Sequence, residues 1–163
     1  MNHEKWEQRF EDAANGDDPI GALTTLLDEV DDALEEGVVP WHAQQTLQAI
    51  IMLKVEQRKH DDAMEWIERL LEFERHWLNY WRSSFANSLI ECALAAFALE
   101  DPRAIEMVEE ALVHTSTGLA TVDTDSLTTA LGMYRTAQLA EELGGAEDGD
   151  EDDDVEFVED MED

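Results

Sequence analysis

The stretch EDPRAIEMVEEAL, residues 100–112, decides the fold, because its pattern occurs three times at an interval of 41 residues. In each copy an Asp-containing turn precedes a small residue, and large apolar residues follow at positions that share one helix face. The aligned sets are Ala22, Ala63 and Ala104; Leu23, Met64 and Ile105; Leu26, Ile67 and Val108; and Val30, Leu71 and Leu112. Such repetition is typical of helices that pack against copies of themselves.

The same interval relates apolar positions in the segments that precede these helices. The sets are Phe10, Ile51, Cys92 and Met133, and Ala14, Val55, Ala96 and Ala137. A helical hairpin exposes apolar surface on two sides and cannot bury it alone, so stacked copies share a core. We therefore predict an all-α fold of three helical hairpins, closed by a seventh helix.

Apolar spacing and turn signals predict where the seven helices begin and end. The predicted bounds are 3–14, 19–36, 41–59, 62 to a break near 78–80, 82–99, 102–114 and 125–143. The local sequence also allows one continuous helix over 61–99, because no Gly or Pro interrupts it. The 41-residue interval places the break, since it maps the Gly37–Pro40 interruption onto Leu78–Trp81.

This repeat resembles the tetratricopeptide-repeat (TPR-like) superfamily over about residues 3–143. The resemblance rests on Ala63 and Ala104 near the start of second hairpin helices, followed by the large residues Ile67 and Val108. It implies a right-handed array of hairpins that docks a partner segment on a concave surface of first helices. The chain departs from the family in its interval, since the usual repeat has about 34 residues. It also departs in the first helices, where Phe10, Ile51 and Cys92 replace a small residue.

The resemblance also indicates which residues form the concave surface. Its predicted members are Gln45, Gln48, Ala49 and Met52, and in the next hairpin Ala86, Leu89, Ile90 and Ala93. None of these is cationic, so the surface is predicted to hold a helix or an apolar segment rather than a carboxylate.

Net charge limits the classes of partner. The chain has 163 residues, with 41 Asp and Glu against 10 Lys and Arg, a formal charge of -31. Such a chain repels phosphate backbones and anionic membrane surfaces, so we expect neither direct nucleic-acid binding nor membrane binding. Acids spread evenly along the chain, with few lysines, resemble proteins of halophilic archaea. We therefore expect a cytoplasmic protein adapted to high salt; an acidic regulator that competes with nucleic acid for a basic partner is the alternative.

Two further segments are candidates for partner binding. Trp77 and Trp81 are the predicted exposed pair of an aromatic-rich corner, with core packing as the alternative interpretation. After the predicted domain 1–143, residues 144–163 contain 12 acids and no base and are predicted to be a disordered tail. Its apolar residues Val155, Phe157 and Val158 are candidates for a short interaction motif. The alternative interpretation is a plain solvated tail.

The sequence contains few candidates for catalytic or ligand-binding residues, and no catalytic, cofactor-binding or metal site is predicted. Cys92 lies in an apolar helix and is interpreted as a core residue. Arg69 and His76 loosely match the Arg-x(4-6)-His motif of HEPN ribonucleases, which keeps a helical ribonuclease as an alternative. The main prediction is a non-enzymatic interaction module whose partner is another protein, and a weak homo-oligomer is left open.

Overall fold

The computed structural model describes residues 3–34, 41–76, 82–118 and 120–144. These residues form seven α-helices and contain no strand. The helices are α1 (His3–Ala14), α2 (Pro19–Leu34), α3 (Trp41–Glu56), α4 (His60–His76), α5 (Arg82–Ala98), α6 (Arg103–Ser116) and α7 (Thr124–Gly144). The all-α prediction is confirmed, and the helices begin and end within three residues of the predicted bounds.

Helix packing defines a row of hairpins. Each helix packs on the next along the chain, and in addition α1 packs on α3, α3 on α5 and α5 on α7. The second helices α4 and α6 meet through long side chains, in the ion pairs Arg75–Glu110 and Arg103–Glu68. Within the described ranges α1 and α7 do not pack on each other. The first helices therefore form one continuous layer with the second helices behind it, an arrangement compatible with a helical repeat and not with a closed ring.

The question of one helix or two across residues 61–99 is settled by a single contact. The hydroxyl of Ser88 on α5 donates a hydrogen bond of 2.7 Å to Oε1 of Glu74 on α4. In one continuous helix these residues would lie about 21 Å apart along the axis. The two helices therefore lie side by side, as the repeat interval predicted.

The turns after α3 and α5 repeat in backbone detail. Arg58 and Glu100, each two residues beyond its helix, adopt positive φ values of 52° and 59°. The following amides, of Lys59 and Asp101, donate to carbonyls five residues earlier, at 3.1 and 2.9 Å. This is the Schellman pattern of helix termination, formed here without glycine. The second and third hairpins thus share one turn geometry.

The core confirms most of the second-helix alignment. Leu26, Ile67 and Val108 are all buried, as are Ala63 and Ala104. The prediction was wrong for Ala22, which is exposed, whereas its neighbour Leu23 is buried.

The first helices do not follow the 41-residue interval in their burial. His42, Ala43, Leu47 and Ile50 of α3 are buried, and so are Phe85, Ala86, Ile90 and Ala93 of α5, each 43 residues further on. The equivalence of Met133 with Ile51 and Cys92 also fails, because Met133 is 42% exposed while the other two are buried. Met133 lies on α7, and within residues 3–144 no described helix follows α7 to cover it.

Candidate functional site

Among the described residues, the layer of first helices has a surface that no second helix covers. On each helix, residues spaced by three, four or seven positions share this side. We call it the first-helix surface, and its members are Gln45, Gln48, Ala49 and Met52 on α3, Glu91, Leu94 and Ala98 on α5, and Gly132, Met133 and Thr136 on α7. All are exposed or half-buried. Met52 is the most prominent apolar member, at 57% exposed.

Three of the predicted partner-binding residues lie on this surface, namely Gln45, Gln48 and Met52. The prediction for α5 was wrong, because that helix turns a different face outward. The residues predicted to be accessible but found buried are Ala86, Leu89, Ile90 and Ala93. Their burial follows from the position of α5, on which both α6 and α7 pack in addition to α3 and α4.

Charge is distributed unevenly within the second and third hairpins, although the first helix α1 contains four acids in 12 residues. The first helices α3 and α5 contain one acid each, Glu56 and Glu91. The second helix α4 contains six, and α6 contains three in 14 residues. Protein interfaces are depleted of charge at their centre. In a chain of this acidity, the first-helix surface is therefore the exposed region whose chemistry is closest to that of an interface.

Met52 borders a small cleft between α3 and α5, with a volume of about 40 Å³. Its lining is almost entirely apolar and consists of Gln48, Ile51, Met52, Leu70, Glu91, Cys92 and Ala95. At the rim, Nε2 of Gln48 donates to Oε2 of Glu91 at 3.0 Å. Burial, followed by the nearby charge of Asp123, raises the pKa of Glu91. Glu91, the one acid of α5, therefore accepts a hydrogen bond from the amide of Gln48.

Below this surface lies a polar cluster within the core. Glu74 of α4 is 2% exposed, and its Oε1 accepts the Ser88 hydroxyl at 2.7 Å. Nε2 of Gln44 on α3 lies 2.7 Å from Oγ of Ser84 and 3.4 Å from Oγ of Ser88, so three helices meet here. Oε2 of Glu74 is buried without a hydrogen-bond partner. Burial raises the pKa of Glu74 to about 7, although the hydrogen bonds from Ser88 and Gln44 oppose this shift.

Sequence reasoning missed this carboxylate, although a signal was present. Glu74 follows Leu70 and Leu71 by four and three residues, so the apolar periodicity of α4 places it on the buried face.

A pair of histidines lies between α1 and α3, at the N-terminal end of the array. Nε2 of His42 lies 3.3 Å from Nδ1 of His3, although 39 residues separate them in sequence. The His42 ring stacks on Trp6, with centroids 4.4 Å apart, and Trp41 packs against both. Burial lowers the pKa of His42, and the adjacent His3 lowers it further. The packing of α1 on α3 brings these two histidines together.

A third polar site joins the second and third hairpins. Asp101 is 5% exposed, and it accepts hydrogen bonds from the backbone N–H and side-chain Nε of Arg103, both at 2.9 Å. Its Oδ2 lies 2.9 Å from Nε2 of His60, at the start of α4. The hydrogen bonds from Arg103 lower the pKa of Asp101 to about 2. The site therefore couples two adjacent turns and is structural in character.

The remaining candidate residues are placed as follows. Cys92 is buried, as predicted, and burial raises the pKa of its thiol. Arg69 and His76 are both exposed on α4, with the Arg69 guanidinium 5.1 Å from the Trp66 ring centroid. Trp77 and Trp81, and the tail residues Val155, Phe157 and Val158, lie outside the described residues.

The described part of the chain contains no group of three or more His, Cys, Asp or Glu side chains that could hold a metal ion. None of its helices has both the length and the apolar character needed to cross a membrane.

Comparison with known protein families, curated proteins and solved structures finds no match to this chain. Its class is therefore defined by the fold alone, as an all-helical protein in which each helix packs on its neighbours.

Proposed function

We propose that this protein is a TPR-like, non-enzymatic interaction module that binds a segment of another protein on its first-helix surface. The observation that supports the proposal is the contrast within the second and third hairpins: exposed apolar residues and one acid each on the first helices α3 and α5, and dense acids on the second helices α4 and α6.

The chemistry of the surface favours an apolar, uncharged partner segment. Met52 and Leu94 supply apolar area, while Gln45 and Gln48 supply amide groups that can pair with a partner backbone. Methionine adapts its shape to irregular contacts, which suits an interface. Burial of an apolar side chain on binding contributes about 1.5–3 kcal/mol and is not weakened by salt. Such binding suits the high-salt cytoplasm that we propose as the protein's environment.

The proposal is tested by site-specific photo-crosslinking in the native host, with a photoreactive residue at position 52 or at position 113. Val113 is the matched control, because it is 62% exposed on the second helix α6. We expect one defined partner to be captured from position 52 and not from position 113.

The captured partner is then purified and its affinity measured against Met52→Asp and Val113→Asp at low and molar KCl. Met52→Asp should weaken binding by about 10- to 100-fold, since an unpaired charge replaces buried apolar area. Val113→Asp should leave the affinity unchanged. Equal loss in both variants would contradict the proposed surface, and a complex that dissociates in molar KCl would instead favour an acidic regulator of a basic partner.

A further inference from the structure

The last helix of the array, α7, has an apolar side that no other described helix covers. Ala130 of α7 is fully buried, whereas Met133, Leu139 and Leu143 are 42%, 57% and 72% exposed. The helices α3 and α5 are each followed by a second helix that packs on them. The helix α7 is the last of the described helices, so no described second helix packs on it in this way. Terminal units of helical arrays need a cover for such a face.

This side of α7 borders a groove of about 530 Å³ against the end of α5. Its lining residues are Phe97, Thr128, Thr129, Gly132, Met133, Thr136, Ala137 and Ala140. None of them is charged, although the chain contains 41 acids. No side chain lies within 4 Å of the place where a Cβ of Gly132 would be, so a docked side chain can approach the helix closely at this point of the groove.

We propose that residues 155–161 of this same chain bind in the α7 groove, with Phe157 placed over Gly132 beside Phe97. The segment reads VEFVEDM, so each of its residues is either apolar or acidic. Its apolar side chains match the groove. Its acids meet no acid in the groove lining, and Arg135, the one base of α7, lies a single turn from Gly132. This docking requires no external partner and does not rest on the proposed function.

The length of the connecting chain fits this placement. Ten residues, 145–154, join the end of α7 to Val155, and seven of them are acidic. Ten residues span at most about 33–36 Å, and mutual repulsion of the acids favours extended conformations. The distance back along α7 from Gly144 to Met133 is about 16 Å, so the segment can reach the groove. Tethering through a short linker gives an effective concentration of up to about the millimolar range. Contacts of low intrinsic affinity therefore suffice to hold the segment in the groove.

Disulfide formation between paired cysteines tests the docking in the full chain. The test pair is Met133→Cys with Glu156→Cys, and the control pair is Val113→Cys with Glu156→Cys, so that both variants keep Phe157. The native thiol does not compete, since Cys92 is 3% exposed and its pKa is raised. We expect the test pair to oxidise about tenfold faster than the control pair, at a rate independent of protein concentration.

The other outcomes are equally decisive. Equal rates for the two pairs would overturn the proposal, because they indicate a tail without a preferred site. A rate that rises with protein concentration would also overturn it, by assigning the groove to a second copy of the chain. Adding Gly132→Trp fills the groove and should slow the test pair to the control rate, while an unchanged rate would refute the placement. If Gly132→Trp alters the circular dichroism spectrum, the two cysteine pairs decide without it.

Discussion

Glu74→Gln is expected to change how stability depends on pH, because Glu74 is a buried carboxylate with one unpartnered oxygen. Its pKa is about 7 in the folded chain against 4.5 as the ordinary value. A raised acid pKa means that folding disfavours the charged form, so stability is lost as pH rises from 4.5 to 7 and stays lost above that. The full loss is about 3 kcal/mol, at about 1.4 kcal/mol for each pH unit between the two values.

The glutamine variant never ionises, so it escapes this loss. Its amide nitrogen replaces the unpartnered oxygen and costs about 1–2 kcal/mol at every pH. At about pH 8 the variant should therefore exceed the wild type by about 1–2 kcal/mol. Between about pH 5.5 and pH 8 its stability relative to the wild type should rise by about 2 kcal/mol.

Urea unfolding in molar KCl, followed by circular dichroism at several pH values, measures this difference. The matched control is Glu65→Gln, since Glu65 lies on the exposed side of the same helix. The control should follow the wild type to within about 0.5 kcal/mol at each pH. A Glu74→Gln profile parallel to that of the wild type would show that the buried carboxylate is not the group that titrates.

Two further substitutions test the array itself. Gly132→Ala should stabilise the chain by about 0.5–1 kcal/mol, because Gly132 lies inside α7 with open space where Cβ would be, and thermal unfolding would show a raised Tm. Asp101→Asn should cost about 2 kcal/mol at neutral pH in urea unfolding, since it removes the carboxylate held by Arg103. As the pKa of Asp101 is lowered to about 2, this contribution is present above pH 3.8 and is lost as pH falls towards 2; an Asn variant as stable as the wild type would contradict the assigned role.

The helices and their order were predictable from the sequence, because the signals that set them are local. Pro19 and the glycine and aspartate turns mark helix ends, and apolar spacing marks the buried side of each second helix. The interval that relates Ile67 to Val108 also predicted the hairpins, since a repeated pattern implies a repeated packing partner.

Only the tertiary structure decided which faces of the first helices are open and which polar groups meet. Burial of Ala86 and Ile90 depends on the packing of α6 and α7 on α5. The sequence of α5 alone does not show how many helices will pack on it. The approach of His3 to His42 and the enclosure of Glu74 by α3 and α5 arise in the same way. Each depends on contacts between different helices, which the local pattern within one helix does not encode.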